Sequence, residues 1–329
     1  MKISIVTDGN KDLGMGHVYQ SVTLAKYLRD KDEFHPEIIF LTKSDENVSL
    51  LIRASGFEVC TKSCDDAIFE HLKDNNSDRI IFDKLDVSLD LARNIKEKLR
   101  ARLFIFTNLT EANAFADVTV LADFGSNFKN IVNRNEKTGQ ISFFGPKYWI
   151  LRKEFYDYKK NVLHGNNSIK KILLMFGGSD PSNLTSLVLE ELLRMENNYF
   201  IKVIIGSAFE YHQELYSVLE KSKMSKSEVE ILKNVENVAE IMISCDLVFV
   251  SPGLSFFEAL AVGVPVIGFH QNHLQKDAYI NQLPTFDKTE IYKVSDIISG
   301  RSFVFPESPL IRSLEIGIGK EEIIAEIFK

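Results

Sequence analysis

Gly14-Met15-Gly16-His17 follows a short apolar run, Lys2-Ile3-Ser4-Ile5-Val6, and a polar loop over residues 7–13. After it, Val18, Val22, Ala25 and Leu28 recur at intervals of three and four. The run reads as a strand and the recurrence as a helix, so the tetrapeptide marks a strand-to-helix turn. His17 then falls at the N-terminus of the first helix, on the carboxyl edge of the first strand. Open α/β sheets bind ligands at that edge. Gly14 and Gly16 permit a tight turn and a close backbone approach, and helix amides and dipole favour an anion there. The same dipole disfavours an imidazolium, so His17 reads as a neutral base. A solvated histidine at a helix start is the other reading of these residues.

Outward from this turn, strands and helices alternate. Strands are expected over residues 37–41, 57–60, 78–83, 102–107 and 118–121, and helices over 48–54, 64–74 and 87–99. The strand at 78–83 ends on the carboxylate of Asp83. Between residues 145 and 168 the rhythm breaks at Gly145-Pro146 and at His164-Gly165-Asn166-Asn167. It restarts with strands at 171–176, 200–205, 229–232, 247–251 and 264–269. Helices are expected at 181–195, 210–221, 238–244 and 255–262, with another beginning at 278 and a mostly helical tail from 311. The alternation implies parallel sheets covered by helices on both faces. The expected organisation is a first domain over 1–145, a connection over 146–168 and a second domain over 169–329, the two facing a cleft.

The 329 residues are 45% hydrophobic and 26% charged, the balance of a globular protein with a large core. A net charge of −7 without a long basic run argues against nucleic acid as a partner. The 3 cysteines, Cys60, Cys64 and Cys245, lack metal-ligand spacing. They read as reduced thiols of a cytoplasmic protein, with neither a metal nor a cofactor implied. The N-terminus lacks the apolar core of a signal peptide. Apolar runs fall short of the roughly 20 residues that span a bilayer, so no integral membrane segment is expected.

Three further stretches carry chemistry. Gly177-Gly178-Ser179-Asp180-Pro181 joins a strand to a helix. Asp180 fits an N-cap with Pro181 at the first helical position, while the glycines could instead bring free amides against a diphosphate. Pro252-Gly253-Leu254-Ser255-Phe256-Phe257-Glu258 is a second such junction. Ser255 and Glu258 have the spacing of a capping box. The alternative is a diphosphate on the amides near Gly253, with Glu258 accepting from ribose hydroxyls, and spacing favours neither. His270-Gln271-Asn272-His273-Leu274-Gln275 is a polar loop at a strand's carboxyl end, a plausible sugar edge.

Together these residues resemble a known family. Gly14-Met15-Gly16-His17 with Thr23-Leu24-Ala25 is similar to its opening motif. Phe144-Gly145-Pro146-Lys147-Tyr148 with Leu151-Arg152-Lys153-Glu154-Phe155 is similar to its middle one. Phe176-Gly177-Gly178-Ser179-Asp180-Pro181-Ser182-Asn183-Leu184-Thr185 and the stretch 251–265 follow in order, and Gly317, Gly319, Glu321 and Ile323 fit its C-terminal motif. The family is the PseG type, UDP-sugar hydrolases of pseudaminic acid biosynthesis, together with the spore-coat polysaccharide proteins of the SpsG type.

The resemblance implies the GT-B fold, two Rossmann-like α/β domains facing a cleft, and similarity to the peptidoglycan N-acetylglucosaminyltransferase. It implies hydrolysis of a UDP-linked 2,4-diacetamido sugar, with His17 activating water and Asp83 as the second catalytic candidate. Nucleotide contacts would come from Gly16, Gly177, Gly178, Ser179, Gly253, Leu254, Ser255 and Glu258. Substrate contacts would come from Gly14, Asn272, His273 and Gln275. Four departures stand out. Gln20 replaces an arginine, Asp83-Lys84-Leu85 lacks the tyrosine of an Asp-x-Tyr motif, and Thr107-Asn108 replaces an acidic pair. The family's Asn-Gln pair is displaced or broken around 272–275. The nucleotide end is thus better kept than the sugar end, which leaves a transferase or a non-catalytic binder as alternatives.

Overall fold

A computed structural model describes the chain except residues 11–13, 32, 123–128, 159–168, 234, 274, 277–282, 284 and 301–308. The chain divides into two compact units, Met1–Ile150 with Leu314–Lys329, and Leu151–Ser313.

The first unit runs β1 (Lys2–Thr7), α1 (Gly16–Arg29), β2 (Glu37–Thr42), α2 (Glu46–Ala54), β3 (Glu58–Thr61), α3 (Asp65–Asn75) and β4 (Arg79–Asp83). It continues with α4 (Leu89–Lys98), β5 (Arg102–Phe106), β6 (Val118–Leu121), β7 (Ile131–Arg134) and β8 (Ile141–Phe144). Its sheet has the order β3-β2-β1-β4-β5-β6-β8-β7, and only the β7–β8 pair is antiparallel. The inner strands β1, β4 and β5 are buried along almost their whole length because helices cover both faces of the sheet there. Ile3, Ile5, Ile81, Phe104 and Phe106 enter one core, with α1. Val6, Ile80, Phe82, Leu103 and Ile105 enter the other, with α3 and α4. Successive residues of a strand point to opposite faces, which sorts them this way.

The second unit runs α5 (Glu154–Asp157), β9 (Lys171–Met175), α6 (Leu184–Arg194), β10 (Phe200–Ile205), α7 (His212–Lys221) and β11 (Glu228–Lys233). It continues with α8 (Val238–Ile243), β12 (Leu247–Val250), α9 (Leu254–Val262), β13 (Val266–His270) and β14 (Thr285–Asp287). All pairs in the order β11-β10-β9-β12-β13-β14 are parallel. In each sheet the chain starts in the middle, works to one edge, then returns to the other. The reversal falls between β1 and β4 in the first unit and between β9 and β12 in the second. Ligands of such sheets bind outside the carboxyl ends of the strands at that reversal.

The unit boundaries differ from the sequence expectation. Tyr148, Trp149 and Ile150 are buried, and Tyr148 and Ile150 belong to the first unit's core rather than to a connection. The tail also returns to the first unit. Its last helix, Lys320–Phe328, buries Ile323, Ile324 and Ile327 in the core that holds Ile3 and Ile5. Arg79 donates from Nε to the Ile327 carbonyl at 2.7 Å, and Arg102 pairs with the buried Glu326 at 2.9 Å. Gly317 and Gly319 donate their amides to the carbonyls of Pro146 and Lys147. A Cβ on Gly319 would lie 2.7 Å from the Tyr148 ring, so the close approach requires glycine. The middle and C-terminal motifs therefore meet each other, as scaffold. The expected helix from 278 begins outside the described residues.

Candidate functional site

His17 and Asp83 meet at the reversal point of the first sheet. Thr7 and Asp83 are register partners at the carboxyl ends of β1 and β4, and the Thr7 hydroxyl donates to the Asp83 carbonyl at 3.1 Å. His17 is the second residue of α1, and its Nδ1 lies 2.9 Å from Asp83 Oδ1. The Asp83 side chain is 3% exposed and that of His17 14%. A carboxylate only accepts, so the Nδ1 in this contact is the protonated nitrogen. The lone pair of the neutral ring then lies on Nε2, the nitrogen that can take a proton. Gln20 and Ser21 donate to the other oxygen of Asp83, at 3.0 and 3.2 Å. Gln20 was read in the sequence only as a missing arginine. A Cβ built on Gly14 or Gly16 meets nothing within 4 Å, so the backbone beside His17 faces open space.

The next residues along the two strands form a second pair. Lys84 makes ion pairs with Asp8 and with Asp86, and both Lys84 and Asp8 are largely buried. Asp8 also accepts from Thr42, from the Lys43 amide and from Ser44. Burial raises the Asp8 carboxyl, but Lys84 and these hydrogen bonds outweigh it and hold it below its ordinary value. Burial lowers Lys84, and Asp8 and Asp86 outweigh that in turn and hold it above. Asn108, on the loop after β5, accepts from the Val87 amide and donates to Thr110 and Asn113. It braces the loop that begins at Lys84. Thr107 beside it adopts φ +56°, a costly conformation for a β-branched residue.

In the second unit, the two glycine junctions turn out to be unlike. Asp180 and Pro181 do not start α6, whose N-cap is Asn183. The chain makes an extra turn at Asp180 and Asn183, with φ +47° and +52°. The Asp180 carboxylate reaches back to accept from the Leu184 and Thr185 amides at 2.9 and 2.8 Å. The Gln271 side chain donates to it as well, at 2.9 Å. Burial pushes the Asp180 carboxyl up against these bonds. The anion position at the head of α6 is thus filled by the protein itself. Ser179 is buried and a Cβ on Gly206 would strike the Gly178 backbone, so the loop is closely packed there, while Gly177, at φ +86°, is exposed and a Cβ on it would meet nothing within 4 Å.

The head of α9 is built differently. Gly253 is the N-cap, with φ +138° and ψ −152°, a region reserved for glycine. Its carbonyl accepts from Phe256 and Phe257. Leu254 and Ser255, the first two positions, have no intrahelical carbonyl for their amides. No side chain among the described residues caps the helix, and the capping box suggested by Ser255 and Glu258 does not form. Glu258 is 1% exposed and takes a two-point contact from Arg152, Nε to Oε1 at 3.1 Å and Nη2 to Oε2 at 3.3 Å. Burial pushes its carboxyl up although Arg152 opposes the shift. Arg152 also lies over the Phe155 ring at 4.9 Å. In this geometry Glu258 anchors the segment that opens the second unit through Arg152.

The loop after β13 satisfies itself. Asn272 Oδ1 accepts from the Gln275 amide at 3.0 Å, and Gln275 Oε1 from the Gln271 amide at 2.7 Å. Gln271, not a sequence candidate, is the hub: it binds the Phe176 carbonyl, Asp180 and the Ser182 amide. Burial lowers His270, whose Nε2 lies 2.7 Å from the Thr285 hydroxyl. His273 is exposed.

No protein-family model matches the chain. Over 99% of its length it is 41% identical to Uncharacterized protein MJ1062 of Methanocaldococcus jannaschii, of which it spans 66%, just under two thirds. Over 91% of its length it is 26% identical to the spore coat polysaccharide biosynthesis protein SpsG of Bacillus subtilis, covering 89% of that protein. Among solved structures, Acinetobacter baumannii MurG aligns over 100% of this chain and 99% of its own, with a TM-score of 0.64 at 12% identity. Anabaena Alr3699/HepE, in complex with UDP and glucose, aligns over 99% of both chains with a TM-score of 0.61 at 13% identity. The chain has the GT-B fold. Within it, the His17–Asp83 pair stands at the reversal point of the first Rossmann-like sheet. The uncapped head of α9 stands at the reversal point of the second. No helix among the described residues is long and apolar enough to cross a membrane.

Proposed function

We propose that the chain is an enzyme that hydrolyses a UDP-linked sugar for surface-polysaccharide biosynthesis, with His17 as the general base. The contact between His17 Nδ1 and the buried Asp83 carries this reading, because it leaves Nε2 basic. A water O–H gives its proton to Nε2 while its oxygen bonds to the anomeric carbon. The bond from that carbon to the diphosphate oxygen breaks, and its electron pair leaves with UDP. The helix amides of Leu254 and Ser255 receive the diphosphate, because Asp180 already occupies the head of α6. The similarity to SpsG supports a place in polysaccharide biosynthesis, and the resemblance of the motifs supports a UDP-linked diacetamido-trideoxy-hexose.

A second reading is a glycosyltransferase, in which Nε2 deprotonates an alcohol acceptor instead of water. Leu85 in place of a tyrosine favours it, as does a 272–275 loop whose side-chain acceptors bind their own turn. Calorimetry with UDP and assays of UDP release from a panel of UDP-sugars separate the readings. UDP release with water as the only acceptor supports hydrolysis. Strict dependence on a glycan or lipid acceptor gives the activity to a transferase, and binding without turnover to a carrier. His17→Asn is expected to lower turnover by about 10²–10⁴ with UDP affinity unchanged. Unchanged turnover would remove His17 from the mechanism.

A further inference from the structure

Among the described residues, the Asp83 carboxylate has three side-chain partners, all from one face of α1. His17 takes Oδ1, while Gln20 and Ser21 share Oδ2 at 3.0 and 3.2 Å. Positions 17, 20 and 21 are spaced three and four apart, which aligns them on that face. A carboxylate only accepts, so the amide end of Gln20 that faces it is the NH₂ group, and the Ser21 hydroxyl donates. Gln20 is 4% exposed and Ser21 0%, so neither side chain is a solvated bystander. Neither carries charge. They orient Asp83 without neutralising it, and among the described residues His17 is its one side-chain partner that can become a cation.

We propose that Gln20 and Ser21 are positioning residues for the His17–Asp83 pair. By holding Oδ2 they fix the plane of the carboxylate and present Oδ1 to Nδ1. The neutral imidazole therefore keeps its proton on Nδ1 and its lone pair on Nε2. With Oδ2 released, the carboxylate turns about its last bond, whose torsional preference is broad. The Nε2–H tautomer then becomes populated, and its Nε2 cannot accept a proton. The proposal rests on the reading of His17 as the base.

Side-chain ¹⁵N NMR of the labelled 329-residue chain reads the tautomer directly above about pH 8, where an ordinary imidazole is neutral. The His17 signals are identified by their loss in His17→Asn. In the wild type, Nδ1 is expected to carry the proton. Gln20→Met and Ser21→Ala should each shift the tautomer ratio toward Nε2–H by about threefold to tenfold, less than the full worth of a hydrogen bond to a charged group because the His17–Asp83 contact is loosened and not lost. Where the UDP-sugar panel yields turnover, kcat falls in proportion to the Nδ1–H fraction that is lost, with KM unchanged. His17 shifts that match the wild type in both variants, while Asp83→Asn changes them, overturn the proposal. So does a wild-type His17 protonated on Nε2. Ser21→Ala removes a single oxygen and keeps the test open if Gln20→Met does not fold. A wild type that releases no UDP counts against the proposed activity alone, since the tautomer is read without substrate.

Discussion

At Gly16, folding and the proposed function can be tested separately. It begins α1 next to His17, a Cβ there meets nothing within 4 Å, and its φ lies outside the left-handed region. Alanine at this position has nothing to collide with and is the better helix former, by about 0.5–1 kcal/mol in a helix interior. Gly16→Ala should therefore leave the melting temperature unchanged or slightly raised. Turnover should fall at least about tenfold if substrate approaches the backbone, a barrier increase of about 1.4 kcal/mol. Asp8 and Lys84 give the opposite kind of test. The lowered carboxyl of Asp8 contributes stability that is present above the ordinary carboxylate range and lost as pH falls through its lowered value. The raised Lys84 contributes stability that is present below the ordinary lysine range and lost as pH rises through its raised value. The pair thus stabilises across the neutral range. Asp8→Asn leaves Lys84 buried and should cost about 3 kcal/mol at pH 7 in denaturant unfolding. Wild type and variant should converge as pH falls below about 4. The sequence made His17 and Asp83 legible because a strand ends on one and a helix begins on the other. Gln20 and Gln271 were not legible, since a glutamine's partner depends on a fold that brings distant loops together.

At the scale of elements, the strand–helix alternation was readable wherever apolar residues are buried on both faces. It failed for β7 and β8. Residues 131–134 are exposed throughout, so no alternation marks them, and only pairing with β8 makes a strand there. It also failed at the head of α6, where Asp-Pro spacing suggested a start three residues too early. The loop instead folds the carboxylate back onto the helix. The clasp between Arg152 and α9 was hidden for the same reason as Gln271, a separation of 106 residues. Removing its cation is informative. Arg152→Met leaves Glu258 in a buried site and should cost about 3 kcal/mol at pH 7, the low end for a broken buried pair, because Arg152 is 26% exposed. A buried carboxyl that is already pushed up is tolerated when protonated, so the penalty should shrink toward pH 4–5. Glu258→Gln should lower the melting temperature with little change in UDP affinity. A tenfold loss of UDP affinity in that variant would return the carboxylate to the ribose.

For the whole molecule, two Rossmann-like units were foreseen, but the ownership of the tail was not. A helix of Ile, Ala and Glu reads as amphipathic whichever core it covers. What decides is the set of partners, Arg79 and Arg102 for its polar groups and the Ile3–Ile5 core for its apolar ones. Ile323→Ala should destabilise by about 2–5 kcal/mol. Hydrogen exchange should show the loss in β1 and β4 and spare β9 and β12. Faster exchange in the second unit's strands would contradict this assignment. The same arrangement sets an order of events during synthesis. The second unit, Leu151–Ser313, is one uninterrupted segment, and all of it has been made before the last helix emerges. At about 5–20 residues per second, the strands of the first unit wait on the order of ten to thirty seconds for the helix that covers Ile3 and Ile5. Of the two units, the one whose strands are made earlier is therefore completed later, and through that interval its apolar face is open to chaperones and to neighbouring nascent chains.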